Sequence, residues 1–341
     1  MKHTLTDANF PRTADLRVYH LGLRPGEIAN RIVTVGSPSR ARSIAVHFDA
    51  KPEPFELSSE RGFLTITGRY KGAPVSVVSI GMGHPNVDFF VREVRECISG
   101  DMLIIRLGSC GGLIDIPVGS VVIPKDSVAV ERNLDYDYVQ PSNNTTEQPY
   151  RVSKPAVADP AFHEQVFKSL LAAKPAEDKG EIVAGSTNAS ADSFYSSQGR
   201  QTSFPDQNEH LIEHLQASVP GLATFEMETF WLYHLAACWS GRKDLIVDAE
   251  TPPLATGPVK PSATAPSQPS SGGAALAGHD TVIRAAAAHM VFASRTSQDF
   301  ITPEHVGRLE AWTGKGVLDA LADMSMAPER LHPQEESVWK L

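Results

Sequence analysis

Met102-Leu103-Ile104-Ile105-Arg106-Leu107-Gly108-Ser109-Cys110-Gly111-Gly112 is the stretch on which the reading of this chain turns. Its first six residues predict a buried strand, apolar on both faces except for one arginine, and the five that follow predict a glycine-rich turn. Glycines in such a turn let backbone N–H groups approach an anion. Arg106, ending an apolar strand, needs a partner, because an unpaired buried guanidinium is costly.

The same alternation of strand and helix extends outward in both directions. Arg31–Val35 predicts a strand ending at Gly36, with a helix over 39–48 and Ser37-Pro38 suited to its first turn. Residues 62–70 and 74–80 predict strands joined by Lys71-Gly72-Ala73, and 86–98 a helix. Further on come a helix over 160–173, a strand over 182–185, a helix over 208–217, a short strand over 222–225 and a helix over 226–239. Residues 289–294 predict the last core strand and 303–323 the last helix. The expected class is α/β, a three-layer α/β/α fold around a central mixed, twisted sheet, with ligands where loops converge at strand ends.

At 341 residues and 41% hydrophobic composition, the expectation is one domain, 1–341, with an appendage. Residues 1–17 form a polar N-terminal extension, and 249–278, dominated by Pro, Ser, Ala, Gly and Thr, predict a low-complexity insertion of the surface-linker kind. A net charge of -9 without a basic block argues against nucleic acid or an anionic membrane as partner. No apolar run reaches the length of a spanning helix and no apolar leader precedes the core, so a soluble, cytoplasmic protein is expected. Cys97, Cys110 and Cys238 are widely spaced, with no CxxC pair, which predicts a reducing compartment, no disulfide and no structural metal.

Ser193-Phe194-Tyr195-Ser196-Ser197-Gln198-Gly199-Arg200 carries the most specific chemistry. A Gln amide offers an acceptor and a donor in one plane and an Arg offers only donors, so together they match the acceptor-donor-acceptor edge of uracil. This segment resembles the pyrimidine-recognition element of uridine phosphorylases. Other segments fall in that family's order: Gly36-Ser37-Pro38-Ser39-Arg40, Gly81-Met82-Gly83, Arg106-Leu107-Gly108-Ser109-Cys110-Gly111, Phe225-Glu226-Met227-Glu228-Thr229 and Ser294-Arg295-Thr296. From His20 to Trp312 the chain resembles the nucleoside phosphorylase I family, with uridine phosphorylases as the nearest branch.

The resemblance implies phosphate-dependent cleavage of a nucleoside's N-glycosidic bond, releasing uracil and ribose 1-phosphate from uridine. It assigns phosphate to the Gly36 backbone, Arg40, Arg106 and Ser109, with Arg61 lent by a neighbouring subunit. It assigns ribose to Ser109, Met227 and Glu228, with His20 reaching across a dimer, and the base to Phe194, Gln198, Arg200 and Arg295. Arg106, Glu228 and Arg200 are the expected catalytic set, with no cofactor beyond inorganic phosphate as co-substrate. The shared residues imply a homodimer, and hexamers stay open. Ser37 stands where bacterial members usually carry Asp, and Gly62 where some carry a potassium-binding Glu, so no such potassium site is expected. The alternatives are a purine or methylthioadenosine-type phosphorylase, which conflicts with the lack of an Asp beside Arg295, and a silent nucleoside-binding relative.

Overall fold

A computed structural model describes residues 4–241 and 280–341. The expected insertion at 249–278 lies outside the described residues. In chain order the strands are β1 Leu5–Thr6, β2 Arg12–Thr13, β3 Arg31–Val35, β4 Phe55–Ser58, β5 Leu64–Tyr70, β6 Ala73–Ser79, β7 Met102–Gly112, β8 Val121–Arg132, β9 Tyr150–Val152, β10 Ala156–Val157, β11 Ile182–Ala191, β12 Leu222–Glu226 and β13 Ile283–Ser294. The helices are α1 Pro38–Ala45, α2 His84–Arg95, α3 Pro160–Ala173, α4 Leu211–Ser218, α5 Thr229–Gly241 and α6 Pro303–Asp323.

Three of the helices start in the same way, for a reason visible in the residues. Ser37, Asp159 and Thr302 cap α1, α3 and α6 through their side-chain oxygens, and each is followed by a proline whose missing N–H costs nothing in a first turn. Strands β5 and β6 join through Lys71-Gly72, both at positive φ, the geometry of a tight hairpin turn.

The N-terminal segment is docked onto the fold. β1 and β2 pair with each other, and Arg12 makes a 2.7 Å ion pair with Glu96.

The main sheet has 11 strands and runs β10-β8-β11-β12-β7-β3-β6-β5-β4, with β13 bonded to both β7 and β8. β7, β12, β11, β8 and β13 therefore close into a ring from which β3, β6, β5 and β4 extend. Parallel and antiparallel pairs coexist, so the sheet is mixed. Its inner strands are apolar on both faces, as a sheet covered on both sides requires. Leu103, Ile105 and Leu107 pack into the layer containing α1, α3 and α6, and Met102 and Ile104 into the opposite layer with α2 and α5.

The structure corrects several sequence expectations. The glycine-rich segment after Leu107 does not turn: β7 continues to Gly112, because β13 pairs alongside it from Met102 to Gly112. On the other edge, β3 pairs with residues 103–106 of β7, and β12 pairs with Gly111 and Gly112. The sheet thus parts at residues 107–110, where the small residues Gly108, Ser109 and Cys110 leave room. β11 runs to Ala191 rather than ending at Gly185, with a bulge at that glycine. Helix α5 begins at Thr229, so Glu226 ends a strand instead of opening a helix. β8 had no counterpart in the sequence reading.

Candidate active site

A cavity of about 300 Å³ occupies the parting between β3 and β12. Parallel strands β3, β6, β7 and β13 bring their carboxyl ends to it, the usual position of a ligand site in a sheet of this kind. Gly36 and Ser37 enter from the end of β3, Arg40 from α1, and Arg106 and Ser109 from β7. A Cβ at Gly36 would approach no atom closer than 3.7 Å, so nothing crowds the space above its backbone.

Arg106 is buried and half-satisfied. Its Nη2 donates to Glu228 Oε2 at 2.8 Å, while Nε and Nη1 have no hydrogen-bond partner among the described residues. Arg40, also buried, donates through Nε to Glu310 Oε1 at 2.7 Å and through Nη1 to the Leu107 carbonyl at 3.4 Å, one of the β7 oxygens exposed by the parting. Burial lowers the pKa of Arg40, and Glu310 opposes that shift.

Glu228 faces the same cavity from the β12–α5 junction. Its Oε1 accepts from the Gly83 N–H at 2.6 Å and its Oε2 from Arg106. Each oxygen keeps a further lone pair. Burial raises the Glu228 pKa most, Arg106 opposes it, and the Glu226 carboxylate adds to the rise.

Glu226 has a different task. It accepts from Asn188 Nδ2 at 2.7 Å, from Ser190 Oγ, from the Glu228 N–H at 2.8 Å and from the Thr229 N–H at 3.0 Å. A carboxylate at the start of α5 meets that helix's unpaired amides and the positive end of its dipole. It thereby fixes the backbone from which Glu228 projects. Behind this network His289 is fully buried, with Nε2 2.7 Å from Thr229 Oγ1. Burial and the Arg106 charge push the His289 pKa down to about 3, so the ring is neutral.

At the other end of the cavity the 193–200 segment is already assembled. Gln198 is buried and Arg200 Nη1 donates both to its side-chain oxygen and, at 2.8 Å, to the Phe194 carbonyl. The Arg200 guanidinium lies 3.8 Å from the Phe194 ring centroid, so one face of that ring carries a cation. Asn208 Nδ2 ties the loop together, donating to the Ser196 carbonyl at 2.8 Å and the Arg200 carbonyl at 3.1 Å. Burial, then the neighbouring Arg295 charge, brings Arg200 down to about 10, still cationic at neutral pH.

Not every residue expected at the site reaches this cavity. Arg295 lines an adjoining recess of about 840 Å³ and holds the loop from behind, donating to the Gln198 carbonyl at 3.2 Å and the Gly199 carbonyl at 3.3 Å. His20 and Arg61 lie elsewhere on the same chain. His20 stacks on Phe89 and contacts Glu93 at 2.6 Å, and exposed Arg61 donates to the Tyr19 hydroxyl at 2.6 Å. Tyr19 joins the two, its ring 4.8 Å from His20 and 5.1 Å from the Arg61 guanidinium. Gly36, Arg40, Arg106, Ser109, Phe194, Gln198, Arg200, Met227 and Glu228 are the expected residues that line one cavity.

Chemically the cavity presents a cationic floor, an acceptor wall and a polar cap. Two guanidinium groups with N–H bonds to spare suit an oxyanion. A buried carboxylate with free lone pairs suits vicinal hydroxyls, and the Gln–Arg cap suits a flat heterocycle bearing carbonyl oxygens.

Comparison with known proteins agrees with this chemistry. Residues 30–240 match the family model of the phosphorylase superfamily. A uridine phosphorylase of Thermococcus kodakarensis is 33% identical over 240 residues, 69% of this chain and 78% of the relative. A DeoD-type purine nucleoside phosphorylase of Roseobacter denitrificans is 29% identical over 245 residues, 71% of this chain and 90% of the relative. A solved structure from a study of two uridine phosphorylases in the oomycete Phytophthora capsici is 35% identical, with a TM-score of 0.78 over 95% of this chain and 100% of that one.

Proposed function

The chain belongs to the phosphorylase superfamily, and from that premise we propose that it transfers the ribosyl group of uridine from uracil to inorganic phosphate, yielding uracil and ribose 1-phosphate. The observation that carries the proposal is the Arg106 side chain: it is buried, lines the cavity, pairs with Glu228 through one nitrogen, and its Nε and Nη1 have no hydrogen-bond partner among the described residues. Nature rarely buries two donors of one guanidinium unsatisfied, and a bound dianion removes the cost.

Phosphate then sits between Arg40, Arg106, the Gly36 amide and Ser109, below the sugar. Glu228 accepts from the ribose hydroxyls, with Met227 and Ser109 against the ring. As the bond to the base breaks, positive charge grows on the sugar, where phosphate and Glu228 lie, and negative charge on the base, where Gln198 and Arg200 lie. The site works by electrostatic complementarity to that separation of charge and by holding three components in register, with no proton-donating acid required. His20 and Arg61 enter from a second subunit of a homodimer, and the reaction serves pyrimidine salvage in the cytoplasm.

The choice of a pyrimidine rests on the Gln198–Arg200 pair and on the absence of a carboxylate in the sequence between Arg295 and Asp299. Asp299 itself lies in the outer recess, its Oδ2 accepting from the Ser297 hydroxyl at 2.7 Å.

The test is turnover of uridine, thymidine, deoxyuridine and inosine by the purified chain, each with and without phosphate. Phosphate-dependent uracil release is expected. Release without phosphate, or a preference for inosine, would overturn the reading.

A further inference from the structure

We propose that Glu310, a residue of α6 outside the cavity, is a positioning residue that sets the anion affinity of the site by orienting Arg40. This inference rests on the phosphate reading given above. Arg40 and Glu310 are 270 residues apart in sequence, and their 2.7 Å contact is made between Nε and Oε1. The Nε–H bond fixes the plane of a guanidinium more firmly than a bond to a terminal nitrogen, because Nε lies on the chain side of the fork. With Nε on Glu310 and Nη1 on the Leu107 carbonyl, Nη2 has no protein partner among the described residues, and Arg40 borders the cavity.

The platform behind the contact is rigid. Helix α6 packs on α1 through Leu309, Trp312 and Ile44, in one buried cluster. Gly314 lies so close to Ile44 that an added Cβ would stand 2.8 Å from its Cγ1. Glu310 thus reaches Arg40 from a closely packed pair of helices. The negative charge opposes the loss of a proton from a buried arginine, yet it also opposes an incoming anion, so geometry rather than charge is the benefit.

That distinction is measurable by titrating inorganic phosphate into the full chain without nucleoside, using calorimetry and thermal shift, for wild type, E310A, E310Q, R40A and R40A/E310A. Gln keeps the accepting oxygen and removes the charge. We expect E310A to weaken phosphate about ten-fold or more, E310Q to stay within about three-fold of wild type, and E310A to add less than about two-fold once Arg40 is gone.

Phosphate binding by E310A within about two-fold of wild type, or equal losses in E310A and E310Q, would overturn the orienting role. So would a full loss on adding E310A to R40A. A wild-type chain that binds no phosphate would overturn the phosphate reading itself, and Glu310 with it.

Discussion

Arg106 Nη2 stands 2.8 Å from Glu228 Oε2, with both side chains buried, and this one ion pair joins the cationic end of the cavity to its carboxylate end. Arg106 comes from the strand at the parting of the sheet and Glu228 from the junction of β12 and α5, so their contact ties together the two sides between which the cavity opens.

Removing one partner of this pair is expected to damage both fold and function. Arg106→Ala strands the Glu228 carboxylate in a buried site, a change that costs about 3–5 kcal/mol where it has been measured. The same change removes the guanidinium to which the proposed function assigns phosphate, and phosphate-dependent turnover should fall by about 10²–10³. Arg106→Lys retains charge without the fork and should fall between. Urea unfolding and steady-state kinetics on the three proteins check this, and wild-type turnover in Arg106→Ala contradicts it.

Arg200→Ala should separate the two ends of the site. The variant loses the Gln198 and Phe194 contacts at the cap but lies away from Arg40 and Arg106. A hydrogen bond from a charged donor is worth about 1.5–3 kcal/mol, so the KM for uridine should rise about 10- to 100-fold while the KM for phosphate changes less than about two-fold. A parallel rise in both constants would remove Arg200 from base recognition.

How much of this was legible beforehand depends on the range over which each feature is encoded. The starts of α1, α3 and α6 are written in adjacent residues, Ser37-Pro38, Asp159-Pro160 and Thr302-Pro303, and the expected helices over 160–173 and 303–323 have the bounds of α3 and α6. The Gln198–Arg200 cap was legible because its chemistry spans three residues. The length of β7 was not: three glycines within five residues resemble a turn, and pairing with β13 and β12, each more than 100 positions away, keeps them extended. Glu226 opens the helix expected over 226–239; in the structure it accepts from the first amides of α5, and its side-chain partners Asn188 and Ser190 come from β11. His289 and Glu310 gave no local signal at all, since one sits in an apolar strand and the other on an ordinary helix. Their roles exist only after the sheet brings distant segments together.

His289 makes a prediction about acid stability. Its folded pKa is depressed from 6.5 to about 3, by burial first and the Arg106 charge second. The unfolded chain gains a proton below pH 6.5 that the folded chain refuses until about 3, so the contribution is intact above 6.5 and is lost as pH falls through that window. Each pH unit inside the window costs up to about 1.4 kcal/mol. His289→Asn should be less stable at neutral pH, through lost contacts with Thr224 and Thr229, yet show a shallower fall between pH 6 and 4 on the order of that slope. Equal slopes for wild type and variant in denaturant titrations across that range would mean that His289 titrates normally in the fold.

Gly100 makes a prediction about the C-terminal segment. It adopts φ +75°, and a Cβ there would overlap the Arg330 carbonyl and come within 3.1 Å of the Leu331 nitrogen. The segment is held at this point by its neighbours. The Asp101 N–H donates to that same Arg330 carbonyl at 3.0 Å, the Ser99 N–H to His332 Nδ1 at 2.9 Å, and the His332 N–H to Asn30 Oδ1 at 2.7 Å. Trp339 follows, 1% exposed, with its carbonyl accepting from Arg69 Nε at 2.9 Å. Gly100→Ala therefore adds backbone strain of about 1 kcal/mol and also pushes the segment off its anchor, for a total of about 2–3 kcal/mol. Limited proteolysis should cut 328–341 faster in the variant than in wild type. In a chain shortened after Ala327 the overlap has no counterpart, and the same substitution should then cost only the strain of about 1 kcal/mol. An equal cost in the long and short chains would locate the whole effect in the glycine's own backbone and leave the anchor without energetic weight.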